Sequence, residues 1–233
     1  MNARVRLSRS SSSYWRITFE NPPLNVMGPQ FVHEMREVIT IIEADEHVKV
    51  VVFDSAVEGF FLNHSDFLAD FEDLKTIPQG PTGLEAWPDI LVRITRAPVV
   101  SIALIRGRAT GNGSEIALAC DMTFVSADDI GGELAQAYGY VNRALPDAEL
   151  DGFVDALATR IAGFDKWSIA NTKRLVNASL PPDVEIAAGW DTCMSSVTRP
   201  VTQARLKTFF QMGFHKPGEA EDRLGAYLGR LGQ

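Results

Sequence analysis

Two largely apolar, β-branched runs, "HVKVVVFDS" (47–55) and "VVSIALI" (99–105), constrain the fold of this chain more than any other feature. Neither alternates polar with apolar, so each reads as a strand covered on both faces, the pattern of parallel strands held between helices. Helical stripes lie around them. From Pro29 to Ala44 the residues Phe31, Met35, Val38 and Ile42 recur at helical spacing, and "GLEAWPDILVRITRAP" (83–98) carries a second stripe closed by Pro98. An earlier strand is predicted at "YWRITFE" (14–20), stopped by the prolines of "NPPLN", and a later one at "DMTFVS" (121–126). This alternation predicts an α/β core with parallel pairing.

After "YVNRALPDAEL" (140–150) the pattern changes to helical segments separated by "GF", "LPP", "TRP" and "KPG". A tail of about five helical elements is predicted there, with no further strand. The chain therefore divides into a core over 1–145 and a helical region over 146–233. One join is tight: only the 14 residues "SADDIGGELAQAYG" separate Val125 from Tyr140. A parallel crossover usually takes about a dozen residues or more.

Composition narrows the partners. With 45% hydrophobic residues over 233, a globular core is expected. The 22 basic and 30 acidic residues give a net charge of -8, and the basic ones are scattered, so no phosphate-tracking surface and no nucleic-acid partner are expected. No apolar run approaches the roughly 20 residues of a membrane span. Cys120 and Cys193 lack the spacing of a zinc site or a disulfide framework, and they read as buried thiols of a reducing, cytoplasmic protein. The start, "MNARVRLSRSSSSYW", lacks an apolar signal core and reads as a short frayed terminus.

Chemistry concentrates in "IRGRATGNGSEIALACDM" (105–122), a strand, glycine turn and helix. Such a turn presents unsatisfied N–H groups to an anion or oxyanion. "GNGSE" is neither a phosphate loop nor a dinucleotide fingerprint. By spacing alone, Ser114 or Asn112 caps the helix and Glu115 complements its dipole, a contribution of about 0.3–1 kcal/mol. The loop in "VKVVVFDSAVEGFFLNHSDF" shifts that balance, because loops after neighbouring parallel strands open on the same sheet edge. Two backbone donors can then meet on one oxygen while Glu115 moves a proton.

Taken in order, "ITFENPPLNVM", "VKVVVFDS", "GFFLNHSDF", "APVVSIALIRGRATGNGSEIALACDM" and "AYGYVNRALPDAEL" resemble the crotonase superfamily, also called the enoyl-CoA hydratase/isomerase family. The resemblance implies a spiral core of strand-strand-helix repeats and a C-terminal helical region that builds homotrimers or dimers of trimers. It also implies a coenzyme A thioester of fatty acid metabolism as substrate, with no metal and no further cofactor. Carried onto this sequence, the oxyanion-hole donors fall on Ser65 and Asn112, and Glu115 matches one of the two glutamates that hydratases use. Phe61, Leu62, Asn63, His64, Asp66, Gly111 and Gly113 flank these positions and are expected to bind substrate.

Three departures bear on that expectation. The first loop reads Asn63-His64-Ser65-Asp66 where relatives read small-Gly-small-Asp. His64 is strained there if the position needs positive φ; it is either a packing residue or a proton carrier. Asn112 stands where relatives carry a middle glycine, a milder change because asparagine tolerates the left-handed region. After "CDMTFVSA" the segment bearing the second hydratase carboxylate is missing, and the nearby Asp128, Asp129 and Glu133 are expected to form a turn or cap. Two readings follow, a hydratase/isomerase-type enzyme working through Glu115 and a catalytically impaired or noncatalytic acyl-CoA-binding or assembly relative; a longer natural chain is a third explanation of the gap. In the tail, Lys173 and Arg174 are either solvated or near a CoA phosphate, and "TFFQMGFHKPGEAEDRLGAYL" (208–228) is core or a tunnel wall.

Overall fold

The computed structural model describes residues 4–69, 73, 76–128 and 131–231. In chain order the core contains β1 (Val5–Arg9), β2 (Tyr14–Phe19), α1 (Pro29–Ala44), β3 (Val50–Ser55), β4 (Phe60–Leu62), α2 (Ala86–Arg96), β5 (Val100–Ile105), β6 (Arg108–Ala109), α3 (Asn112–Ala119), β7 (Met122–Ser126), α4 (Gly132–Ala137) and β8 (Arg143–Leu145). The strands β2, β3, β5, β7 and β8 pair in parallel in one six-stranded sheet of order β1-β2-β3-β5-β7-β8. A second, two-stranded parallel sheet joins β4 to β6. The strand-strand-helix turns β3-β4-α2 and β5-β6-α3 each place one strand in each sheet, the arrangement expected of the crotonase-like α/β fold.

The apolar runs serve two faces. Val51 and Phe53 of β3, with Ala103 and Ile105 of β5, pack beneath α1, α2 and α3. Val50, Val52, Ile102 and Leu104 point the other way, onto α5 (Asp147–Ala162) and α6 (Lys166–Val176). A strand with helices on both sides needs no polar face, which is why these runs are largely apolar. Helix α1 starts at Pro29, whose missing N–H is harmless in a first turn, and buries Phe31, Met35, Val38 and Ile42.

Beyond α6 the chain makes a short 3-10 turn, Asn177–Ser179, and four more helices: α7 (Asp183–Val197), α8 (Pro200–Gln211), α9 (Glu219–Asp222) and α10 (Leu224–Arg230). Helix α7 buries none of its residues fully and is tied to α2 by an Arg96–Asp183 ion pair at 2.5 Å.

Three expectations are revised, and the feasible but tight join is met. The N-terminal segment from Val5 is an edge strand, antiparallel to β2 from Val5↔Phe19 to Arg9↔Trp15, and not a frayed end. The tight join does form a parallel crossover, through the six-residue α4. Among the described residues the tail has six α-helices, α5 to α10. Cys193 is exposed on α7, whereas burial and the neighbouring Asp121 hold the Cys120 thiol far up, keeping it protonated.

Candidate active site

The first loop leaves β4 from a rigid base. Phe61 lies edge-on to Phe19 at 5.4 Å and belongs to an aromatic cluster with Phe31 and Phe53. Phe61 and Leu62 are both 0% exposed, so their side chains anchor the loop in the core. Asn25 holds the strand from outside, its Nδ2 donating to the Phe61 carbonyl at 2.5 Å. The loop is then pinned by Met27, whose N–H donates to the His64 carbonyl at 3.0 Å and whose carbonyl accepts the Asp66 N–H at 2.7 Å.

The second loop packs directly on the first. Gly111 has φ 52°, and a side chain there would come within 3.2 Å of the His64 backbone. Gly113 permits closer contact: a Cβ would lie 1.8 Å from the Leu62 carbonyl oxygen. Asn112 itself is the first residue of α3, and the positive φ of this turn falls on Gly111, so Asn112 does not need the tolerance for it that asparagine offers. His64 is likewise not at positive φ, so the expected strain at that position is absent.

The expected donors come together. Ser65 Oγ donates to Asn112 Oδ1 at 2.8 Å, linking the loops side chain to side chain. Among the described residues, neither the Ser65 N–H nor the Asn112 N–H is taken up by another group. Glu115 follows at once: its Oε2 accepts from Asn112 Nδ2 at 3.2 Å and from the Trp87 indole N–H at 2.6 Å. Both donors use the same carboxylate oxygen, and Oε1 has no partner among the described residues.

A cavity of about 320 Å³ opens beside Ser65 and Trp87, with apolar walls from Met27, Val32, Trp190 and Met194. Two of those walls come from α7, so the tail helix closes a pocket that the core leaves open. Glu85 and Asp191 are the carboxylates on its lining. Asp128 and Glu133 lie elsewhere: Asp128 Oδ2 accepts the Asp147 N–H at 3.2 Å, and Glu133 is an exposed residue in the first turn of α4. Asp129 lies outside the described residues.

The remaining site residues divide between scaffold and network. Asn63, 0% exposed, bonds Thr110 Oγ1 of the second loop through its Oδ1 and donates to Glu221 from Nδ2 at 3.2 Å. Asp66 Oδ1 accepts the Leu68 N–H at 3.0 Å, closing the loop's end. His64 is buried against Phe214 and Glu221. Lys173 is neither solvated nor free for phosphate: at 6% exposure it donates to the Ile94 and Val99 carbonyls and pairs with Asp121 at 2.8 Å.

Sequence reasoning did not single out Trp87, Glu221 or His215. Trp87 sits on an apolar helical stripe where a tryptophan reads as core. Glu221 sits in "GEAED", which reads as a solvated acidic turn, and two of its partners, Asn63 and His64, are more than 150 residues away in the chain.

A family model described as "Enoyl-CoA hydratase/isomerase" matches residues 9–129, more than half the chain and the stretch that carries both loops and Glu115. The chain belongs to the enoyl-CoA hydratase/isomerase family. A solved structure from Streptomyces avermitilis, described provisionally as an enoyl-CoA hydratase, shares 31% identity, covers 97% of this chain and 96% of its own, and superposes with a TM-score of 0.89. A mouse protein named enoyl-CoA hydratase domain-containing protein 2, mitochondrial, is 32% identical over 115 residues, which span 49% of this chain and only 38% of the mouse protein. A zebrafish (Danio rerio) ethylmalonyl-CoA decarboxylase is 29% identical over 119 residues, again 49% of this chain and 38% of the relative. Enoyl-CoA hydratase/isomerase relatives named for different reactions thus match this chain over about half its length.

Proposed function

We propose that the protein is an acyl-CoA enzyme of the hydratase/isomerase type, in which the Ser65 and Asn112 N–H groups form an oxyanion hole and Glu115 is the general acid and base. The observation that supports this reading is the 2.8 Å side-chain link between Ser65 and Asn112, two residues whose N–H groups no other described group takes up, together with the Asn112–Glu115 bond.

Moving a proton at a carbon beside a thioester carbonyl places negative charge on the carbonyl oxygen. Preorganised donors at that oxygen commonly contribute about 2.7–4 kcal/mol each to the barrier. Trp87 and Asn112 fix Oε2 of Glu115, leaving Oε1 to accept or deliver the proton, a role worth about a hundred- to ten-thousand-fold in rate. In a double-bond shift Glu115 takes a proton from C2, the electrons pass to the thioester oxygen as an enolate, and the same proton returns at C4. The shift is balanced with one carboxylate and requires no metal or redox cofactor. Hydration requires a second group to handle the water proton, and Glu85 and Asp191 are the carboxylates that the cavity offers. The apolar wall from Met27, Val32 and α7 suits an acyl chain.

Assembly as a homotrimer or dimer of trimers belongs to the same proposal. It is supported by an apolar hollow of about 830 Å³ lined by Leu118, Phe164, Ile169 and Val176, beside the exposed Trp167 and Leu175. No described helix is long and apolar enough to cross a membrane. A cytoplasmic setting remains part of the proposal, supported by two unpaired cysteines, although the mouse relative is named as mitochondrial.

Glu115→Gln tests the reading. Turnover of but-2-enoyl-CoA and but-3-enoyl-CoA is expected to fall at least about a hundredfold, with thioester binding retained. An unchanged rate removes Glu115 from the mechanism, and calorimetric binding without turnover in the unaltered chain favours the noncatalytic alternative.

A further inference from the structure

One buried set of titratable side chains stands outside the proton path, and it lies against the first oxyanion loop. Glu221 of α9 is 0% exposed, far from what its acidic surroundings in sequence suggest. Its Oε1 accepts the His215 N–H at 2.7 Å, its Oε2 accepts Asn63 Nδ2 at 3.2 Å, and both oxygens lie 3.2 Å from His64 Nε2. Arg108 of β6 donates to the Glu221 and Asp222 carbonyls and so ties α9 to the small sheet from which both loops emerge. His215 is held at φ 69°, a conformation costly for a non-glycine residue, with its N–H spent on Glu221.

The other ring nitrogen of His64 settles the chemistry. Nδ1 lies 2.8 Å from the Ser65 carbonyl oxygen. A carbonyl and a carboxylate only accept, so an imidazole facing one at each nitrogen is fully bonded only when both nitrogens carry protons. The neighbouring ring behaves oppositely. His215 Nε2 accepts the Phe67 N–H at 3.0 Å and is therefore unprotonated, although Asp66 Oδ1 stands 3.5 Å away. Of the charged groups around the pair, Asp66 faces His215, and the Arg108 guanidinium is occupied by backbone carbonyls. Glu221 is thus the counter-ion that His64 meets.

We propose that Glu221 is a positioning residue that holds His64 as an imidazolium against the Ser65 peptide, so that the C-terminal segment sets the place and the charge of the first oxyanion loop. This rests on the reading that the Ser65 N–H receives the thioester oxygen. A fixed positive ring one residue before that donor favours the developing oxyanion electrostatically, and its bond to the Ser65 carbonyl restrains the residue whose N–H is the donor. A buried ion pair of this kind contributes little net stability, and placement is its better-attested use.

Side-chain nitrogen NMR of 15N-histidine-labelled protein at pH 7.5 tests the pair on the unaltered chain, so it stands even where a variant folds poorly. Both His64 ring nitrogens are expected to be protonated in the wild type and one to lose its proton in Glu221→Gln. On but-2-enoyl-CoA, Glu221→Gln and His64→Gln are each expected to lower kcat about tenfold or more, with KM changed less than about threefold. The double variant should lose no more than either single one, because the two act as a unit. A neutral His64 ring in the wild type overturns the inference, and so does wild-type kcat in Glu221→Gln. The Glu115→Gln comparison separates the two levels: turnover that depends on Glu115 but not on Glu221 leaves the enzymatic reading intact and removes this one.

Discussion

Glu115 receives two hydrogen bonds on one oxygen, and the stronger donor is one that sequence reasoning did not foresee. The Trp87 indole N–H at 2.6 Å is a bond to a charged acceptor, worth about 1.5–3 kcal/mol. Trp87→Phe keeps the ring in the core and removes that donor, so kcat is expected to fall about tenfold or more while the thermal midpoint changes little. Steady-state kinetics and a melting curve on the same sample check both halves. Gly113→Ala has the opposite profile. Its Cβ would meet the Leu62 carbonyl oxygen at 1.8 Å, so the loops must part, at a cost of about 1–3 kcal/mol or more in urea unfolding. That Ser65, Asn112 and Glu115 lie together was legible because each sits in a short motif downstream of an apolar run that reads as a strand. Trp87 and Glu221 were not, since a tryptophan on an apolar stripe and an acid in a polar turn each have an ordinary local explanation that only distant contacts displace.

At the scale of elements, the buried strands were readable from composition alone because two helical layers cover them. Strand β1 was not: "VRLSR" is an edge strand whose serine and arginine residues look like an unstructured terminus until β2 supplies its ladder. Strands β4 and β6, three and two residues long, are too short to show a period. Helix α9 and the turn before it carry a pH signature. Burial, and then the positive charge of His64, hold His215 below the ordinary 6.5, so the unfolded chain takes up that proton first. Its stabilising contribution is present above pH 6.5 and is lost as pH falls below it. For Glu221, burial pushes the carboxyl up, but the bonds from His64 and the His215 N–H outweigh it and the pKa lies below 4.5. That contribution is present above pH 4.5 and is lost on further acidification. The part of the thermal midpoint lost through His215 as pH is lowered from 7.5 should therefore be absent in His215→Asn, so the difference between wild type and variant narrows on acidification. A difference that does not change with pH contradicts the assignment.

Across the whole molecule, the helical tail performs two tasks that its sequence periodicity did not separate. Helices α5 and α6 complete the core, and α7 closes the cavity beside Ser65. Lys173 joins α6 to the core through Asp121 and two carbonyls. Lys173→Met leaves a carboxylate without its cation and is expected to cost about 3 kcal/mol in urea unfolding. The exposed Leu118 and Val176 line the larger hollow and Trp167 and Leu175 are exposed on α6, and light scattering is expected to give about three times the 25.6 kDa chain mass, with Trp167→Glu shifting it toward one. The convergence of two loops on one oxygen is the central claim, and a crystal structure with butanoyl-CoA, which has no double bond to hydrate or shift, tests it most directly. The expected result is a thioester oxygen about 2.7–3.1 Å from the nitrogens of both Ser65 and Asn112, with Glu115 Oε1 facing the carbon beside it. A thioester oxygen bonded to neither nitrogen contradicts it.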